Sequence, residues 1–143
     1  MSKRKLRVAV LMHQALLPPE SLEGIDEQAA DQFKMEYDVC TALQNLGHEV
    51  IQVGVEDELA PIRRVLKEQK PHIAFNLLMH FHDAGIYDSA VVAWLELQKQ
   101  HYTGCNPRGL LVANDKALCK KVLAYHRIRA PRFFTVPRGG KVK

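Results

Sequence analysis

Short apolar runs alternate with amphipathic stretches along most of this chain, and that alternation limits the fold more than any other feature. Arg7 to Met12 is a brief run suited to a strand buried on both faces. Residues from about Glu27 to Leu46 then read as one helix, with Phe33, Tyr37, Cys40 and Leu43 or Gln44 at helical spacing and Gly47 as its left-handed cap. Glu49 to Gly54 reads as a second strand and Glu58 to Gln69 as a second helix, with Ile62, Val65 and Leu66 on the inner stripe and Pro71 beyond it. His72 to Leu77 is the third strand, followed by a loop over Leu78 to Asp88 and a helix carrying Val91, Val92, Leu95 and Leu97. His101 to Thr103 is a short extended piece, Pro107 to Val112 a helical turn or two, Asp115 to Tyr125 a helix, and Phe133 to Val136 a last strand. Strands separated by helices of this length make βαβ units. The expected fold is α/β, an open, mostly parallel sheet with helices on both faces; the pattern leaves strand order open.

A length of 143 residues suits one domain with its own core. The longest apolar runs, such as Val8 to Met12 and Ile73 to Met79, are far too short to span a bilayer. The basic start Met-Ser-Lys-Arg-Lys leads into a strand without a small-residue cleavage site, so a cytoplasmic protein is expected. The formal charge of +4 is modest and much of it sits in the two tails, which offers no continuous basic face for nucleic acid. Cys40, Cys105 and Cys119 contain no CxxC pair and read as reduced, mostly buried thiols. After Val136, the basic, glycine-containing residues 137–143 read as a linker, leaving a domain over 1–136.

Open parallel sheets bind ligands beyond the carboxyl ends of their strands, which singles out the loops after Met12 and after Leu77. The second contains His80, His82 and Asp83. Two histidines two apart share one face of a strand, as a metal requires, but no further His/Cys pair stands at ligand spacing. No metal ligand is therefore assigned; a solvated loop or a substrate-facing histidine are the other readings. Asn114 reads as an N-cap with Lys116 just inside the helix, where Lys116, Lys120 and Arg127 share a face opposite Leu118, Val122 and Tyr125, taken as buried. Lys116 and nearby amides offer charge and donors to a phosphate, or a solvated basic face. Glu36, among apolar neighbours, reads as a solvated helix glutamate. No GxGxxG, Walker, HExxH or GxSxG motif is present, and no catalytic residue is assigned.

From residue 72 onward the motifs fall in a specific order: His72-Ile-Ala-Phe-Asn-Leu77, Val91-Val-Ala-Trp-Leu-Glu-Leu97, Tyr102-Thr-Gly-Cys-Asn106, Ala113-Asn-Asp-Lys-Ala-Leu-Cys-Lys-Lys-Val-Leu123 and Arg127-Ile-Arg-Ala-Pro131. With Glu36-Tyr-Asp-Val and Gly47-His-Glu-Val50 upstream, this order resembles the N-terminal, Rossmann-like pre-ATP-grasp domain of the D-alanine–D-alanine ligase family. The resemblance covers nearly the whole chain, although each motif is weak alone. It implies an ATP-grasp enzyme that activates a carboxylate as an acyl phosphate and joins it to an amine. It also implies a phosphate contact for Lys116, a substrate ammonium for Glu36, and a substrate-side place for His80 or His82.

The loop after the first strand departs from the family pattern, as does the longer loop His80 to Ser89, which leaves amino-acid or peptide specificity open. ATP and Mg2+ are implied for the full-length parent, whose central and C-terminal ATP-grasp domains would be this chain's partners; neither is expected to bind tightly to this chain alone. A homodimer is compatible with the family. Two other classes stay open: a stand-alone α/β ligand-binding or regulatory module without catalysis, and an unrelated metal hydrolase using His80 and His82.

Overall fold

The structure is a computed structural model that describes residues 4–137, 139 and 140, so the tail expected over 137–143 lies largely outside the described residues. Strands β1 (Arg7–His13), β2 (Glu49–Val55) and β3 (Ile73–Asn76) form a parallel sheet in the order β2-β1-β3. Register runs from Arg7 opposite Glu49 to His13 opposite Val55, and from Val8 opposite Ile73 to Leu11 opposite Asn76. Tyr102 adds one parallel bridge to Ala74, so the short extended piece expected near 101–103 marks the far edge of the sheet.

Helices α1 (Glu27–Ala30), α2 (Lys34–Asn45), α3 (Ala60–Glu68), α4 (Asp88–Leu97), α5 (Pro107–Asn114) and α6 (Lys116–Tyr125) complete the chain. The single helix expected from Glu27 is broken by a 3-10 turn at Asp31–Phe33. Gly47 closes α2 as expected: it lies at φ +87°, and the His48 amide donates to the Leu43 carbonyl at 3.1 Å.

Helices cover both faces of the sheet. On one face Ala9, Leu11, Val53, Val55 and Ala74 pack against Ile62 and Val65 of α3 and Val91 and Leu95 of α4. On the other, Val8, Val10 and Met12 pack against Cys40, Val39 and Leu43 of α2. Strand β1 thus faces two cores, and Val8, Val10, Leu11 and Met12 are each at most 2% exposed. Burial of such side chains contributes ~1.5–3 kcal/mol apiece relative to leaving them in water.

Three expectations fail toward the C-terminal end. Phe133–Val136 forms no strand, because no described strand lies alongside to accept its ladder bonds. Leu118 and Val122 are 42% and 39% exposed, and Tyr125 84%, so the face of α6 taken as buried is open. Helical periodicity marks a stripe without saying what it packs against, and no described element covers this one. The N-cap of α6 is Asp115, whose side chain accepts from the Leu118 amide, while Asn114 ends α5 and reaches elsewhere. Among the described residues no helix is long and apolar enough to cross a membrane.

Candidate functional site at the sheet switch point

The chain leaves β1 toward α2 on one face and leaves β3 toward α4 on the other. The chain therefore leaves the tips of neighbouring β1 and β3 in opposite directions, which opens a crevice between them. His13 sits at the end of β1, and Leu77 to His80 follow β3. The His13 Nδ1 accepts the Ala15 amide at 3.2 Å, which leaves Nε2 as the free nitrogen. The His80 ring lies 4.8 Å from the His13 ring, centroid to centroid, tilted by 34°.

Beyond His80 the chain reverses in a tight turn. The Phe81 amide donates to Ala84 O at 3.3 Å and the Ala84 amide to Phe81 O at 3.1 Å, with His82 at φ 53° and Asp83 at φ 56° between them. Two left-handed residues in succession define a type I′ turn, normally made with Asn or Gly. The left-handed conformation costs L-residues ~1–2 kcal/mol each, less for Asp and His. The His82 amide donates to Glu56 O at 3.0 Å, pinning the turn to the loop after β2. The turn brings Asp83 back toward the imidazoles: one ligand atom each of His13, His80 and Asp83 lie within 4.8 Å of one another. His82 is exposed and stands outside this group.

A cavity of about 190 Å³ lies against these side chains, lined by His13, His80, Asp31 and Glu36 together with Leu16 and Met79 among its apolar walls. Glu36 is only 2% exposed, which overturns its reading as a solvated glutamate. The reason is a misplaced stripe. The sheet-facing side of α2 is Glu36, Val39, Cys40 and Leu43, whereas Gln44, placed on it from sequence, is exposed. Glu36 occupies the first position of a row that is otherwise apolar. Burial pushes the Cys40 thiol above its ordinary 9.0, and the adjacent Glu36 carboxylate pushes it further the same way. Cys40 is the one buried cysteine; Cys105 is exposed and Cys119 half-buried, so "mostly buried" does not hold for the three.

Lys116 does not join this site. It is exposed at the first position of α6, and the Asp115 carboxylate already takes the Leu118 amide at 2.8 Å. A phosphate there would meet one free ammonium and a helix end partly occupied by an anion. These residues offer one cation to a phosphate and no more.

A larger cleft of about 570 Å³ lies between the Gly85–Tyr87 turn and α5–α6, lined by Ile86, Leu111 and Leu118 among others. It is mostly apolar, and its acid, Asp115, is engaged as a cap. Beside it, Asn114 Nδ2 donates to both oxygens of Asp88, at 3.0 and 3.1 Å, and to Gly85 O at 3.3 Å. Size notwithstanding, the convergent chemistry is in the smaller cavity.

Sequence reasoning singles out neither His13 nor Asp31. His13 has a signal, as the residue ending a strand beside the switch point; Asp31 has none, since the break between α1 and α2 is silent in the periodicity.

Comparison with known proteins decides the kinship. The chain is 34% identical over 93 residues to a D-alanine–D-alanine ligase of Rhizorhabdus wittichii, covering 65% of this chain and 28% of the relative. It is 33% identical over 104 residues to the ligase of Syntrophotalea carbinolica, covering 73% and 32% respectively. Over these stretches the chain is similar to D-alanine–D-alanine ligases. It spans about three tenths of the length of these ligases. No family model matches it. Its fold is that of part of the D-alanine–D-alanine ligase of Bacillus anthracis complexed with ATP, with a TM-score of 0.67 at 19% identity, covering 96% of this chain and 43% of that one. Ligase kinship and the α/β sheet agree with the expectations drawn from the ordered motifs.

Proposed function

We propose that this chain is the substrate-side, N-terminal domain of an ATP-dependent carboxylate–amine ligase, inactive without central and C-terminal ATP-grasp domains of the same polypeptide. The observation that carries this is the convergence of Glu36 and His80 on one cavity at the sheet switch point. The family resemblance assigns substrate to Glu36 and to His80 or His82, and Glu36 and His80, far apart in sequence, line the same cavity.

In this reading Glu36, buried and in no ion pair among the described residues, receives the ammonium of an amino-acid or peptide substrate. His80 lines the same cavity and orients the substrate's polar end, with His13 beside it where the family pattern has no histidine. His82, displaced by the turn, takes a secondary place. Lys116 supplies one cation to a phosphate. ATP and Mg2+, when bound, supply the phosphoryl group and its charge neutralisation for acyl-phosphate formation. This chain's part is to hold the carboxylate substrate in place and screen it from water.

The test is ADP release with ATP, Mg2+ and a panel of amino acids including D-alanine. Pure 143-residue chain is expected to release none, and a polypeptide carrying it together with ATP-grasp domains is expected to release ADP in step with amino acid. Amino-acid-dependent ADP release by the pure chain would overturn the reading, as would a longer polypeptide that ignores every amine and carboxylate offered.

A further inference from the structure

We propose that His13, His80 and Asp83 form a three-ligand site for a divalent transition metal, zinc first among them, at the rim of the Glu36 cavity. The ligating atoms lie within 4.8 Å of one another, come from the end of β1 and the loop after β3, and include two imidazoles and a carboxylate. That donor set suits zinc, cobalt or nickel and disfavours magnesium and calcium, which take oxygen ligands. With bonds of about 2.0–2.2 Å, donors around a tetrahedral ion stand roughly 3.5 Å apart, so modest side-chain rotation closes the set. Three protein ligands leave at least one position open, the arrangement of sites that recruit a further ligand rather than merely brace a fold.

Two features of the chain's geometry favour the site. The left-handed pair His82–Asp83 is an uncommon use of non-glycine residues, and its effect is to fold the Asp83 carboxylate back onto His80 and His13. The same turn removes His82, the partner that the two-residue spacing nominates, and replaces it with His13 from the end of β1. The carboxylates of Asp31 and Glu36 on the adjoining cavity add negative charge that favours a cation. The His13 Nδ1 accepts the Ala15 amide, which places the ring proton on Nε2. Ligation through Nε2 transfers that proton to Nδ1 and gives up the amide contact; ligation through Nδ1 displaces the amide directly.

The site is independent of the ligase reading, because binding is measured on the chain without nucleotide or amino acid. Zinc sulfate would be titrated into chelator-treated chain by calorimetry, with cobalt(II) absorption reporting the ligand field. One equivalent is expected to bind to wild type. His13→Ala and His80→Ala should each weaken binding beyond the roughly 10- to 100-fold that loss of an outer-shell partner costs. Asp83→Asn, which tolerates the left-handed turn, should weaken it and alter the cobalt spectrum, while His82→Asn should leave both unchanged. Should a histidine variant fold poorly, the zinc-induced rise in urea midpoint serves instead, expected in full for wild type and His82→Asn and reduced for Asp83→Asn. Sub-stoichiometric binding, or equal weakening by His82→Asn, would overturn the site and leave only adventitious capture by exposed imidazoles.

Discussion

Replacing Glu36 by glutamine tests the central claim about the cavity, that a buried carboxylate lines it without an ion-pair partner among the described residues. Glu36 is 2% exposed, and among the described residues the ion pair present is Lys34–Asp38, which brackets Glu36 in sequence but lies on the solvent side of the helix. The isosteric amide keeps the shape and removes the charge. Burying a polar group without compensation costs roughly 1–3 kcal/mol in proteins, and the amide retains part of that cost, so Glu36→Gln should stabilise the ligand-free chain by ~1–2 kcal/mol. For a chain of this size each kcal/mol moves the melting temperature by about 4 °C, giving a rise of ~4–8 °C by circular dichroism at pH 7. A second readout comes from Cys40. Its raised thiol pKa means that its contribution to stability is complete below 9.0 and declines as the pH climbs past that value, because the unfolded thiol ionises first. Removing the Glu36 charge removes one of the two causes, so the Cys40 thiol should become more acidic and the alkaline decline shallower. An unchanged or lowered melting temperature, with Cys40 unmoved, would refute the reasoning. The carboxylate would then be satisfied where it lies and no longer a candidate for an ammonium.

Three further outcomes follow from the geometry. Asn114→Ala strips both Asp88 oxygens of their donor and should cost ~1–3 kcal/mol by urea unfolding; a loss within the ordinary surface range of about 0.5 kcal/mol would show that Asp88 has other support. The Tyr102 phenol donates to Glu96 Oε1 at 2.7 Å, and this bond, ahead of burial, pushes its pKa up to about 12. Ultraviolet titration should therefore show one of the four tyrosines ionising late, with the associated stability intact below 10.0 and lost as pH rises through about 12; Glu96→Gln should return it toward 10.0, and a late phase surviving that change would refute the assignment. Gly54→Ala would set a methyl 2.7 Å from Leu17 Cδ1 and against the Gln14 side chain, and should cost ~1–3 kcal/mol, partly recovered by Leu17→Ala; a neutral effect would mean that the turn after β1 yields freely.

The sheet was readable because its signals are local and strong. Val8 to Met12 has too many consecutive apolar residues for anything but a strand covered on both sides, and Gly47 and Pro71 punctuate the helices for stereochemical reasons that hold in any context. The candidate site was only half readable. Glu36 and His80 enter through family resemblance, whereas residue patterning argued against Glu36, because a one-residue rotation of the assumed stripe turns a buried position into an exposed one. Asp83 is noted in the sequence only as the acid after the two histidines: His82-Asp83 carries none of the Asn-Gly chemistry that announces a type I′ turn, so the reversal that groups Asp83 with His13 and His80 has no sequence signature. At the C-terminal end, Phe133–Val136 has strand-like composition, but a strand needs a neighbour, and composition does not provide one.

Strand β1 is clamped between two cores and paired along its whole length, while His80 and Asp83 ride on a turn held to the body of the protein by the His82 amide and by Phe81, which packs against the core. The two sides of the cavity are therefore built differently. His13 belongs to the sheet, with backbone amides just before it expected among the slowest to exchange, whereas His80 and Asp83 belong to a short turn outside the sheet. A substitution at His80 or Asp83 reshapes one side of the site and leaves the strand tip opposite where it is.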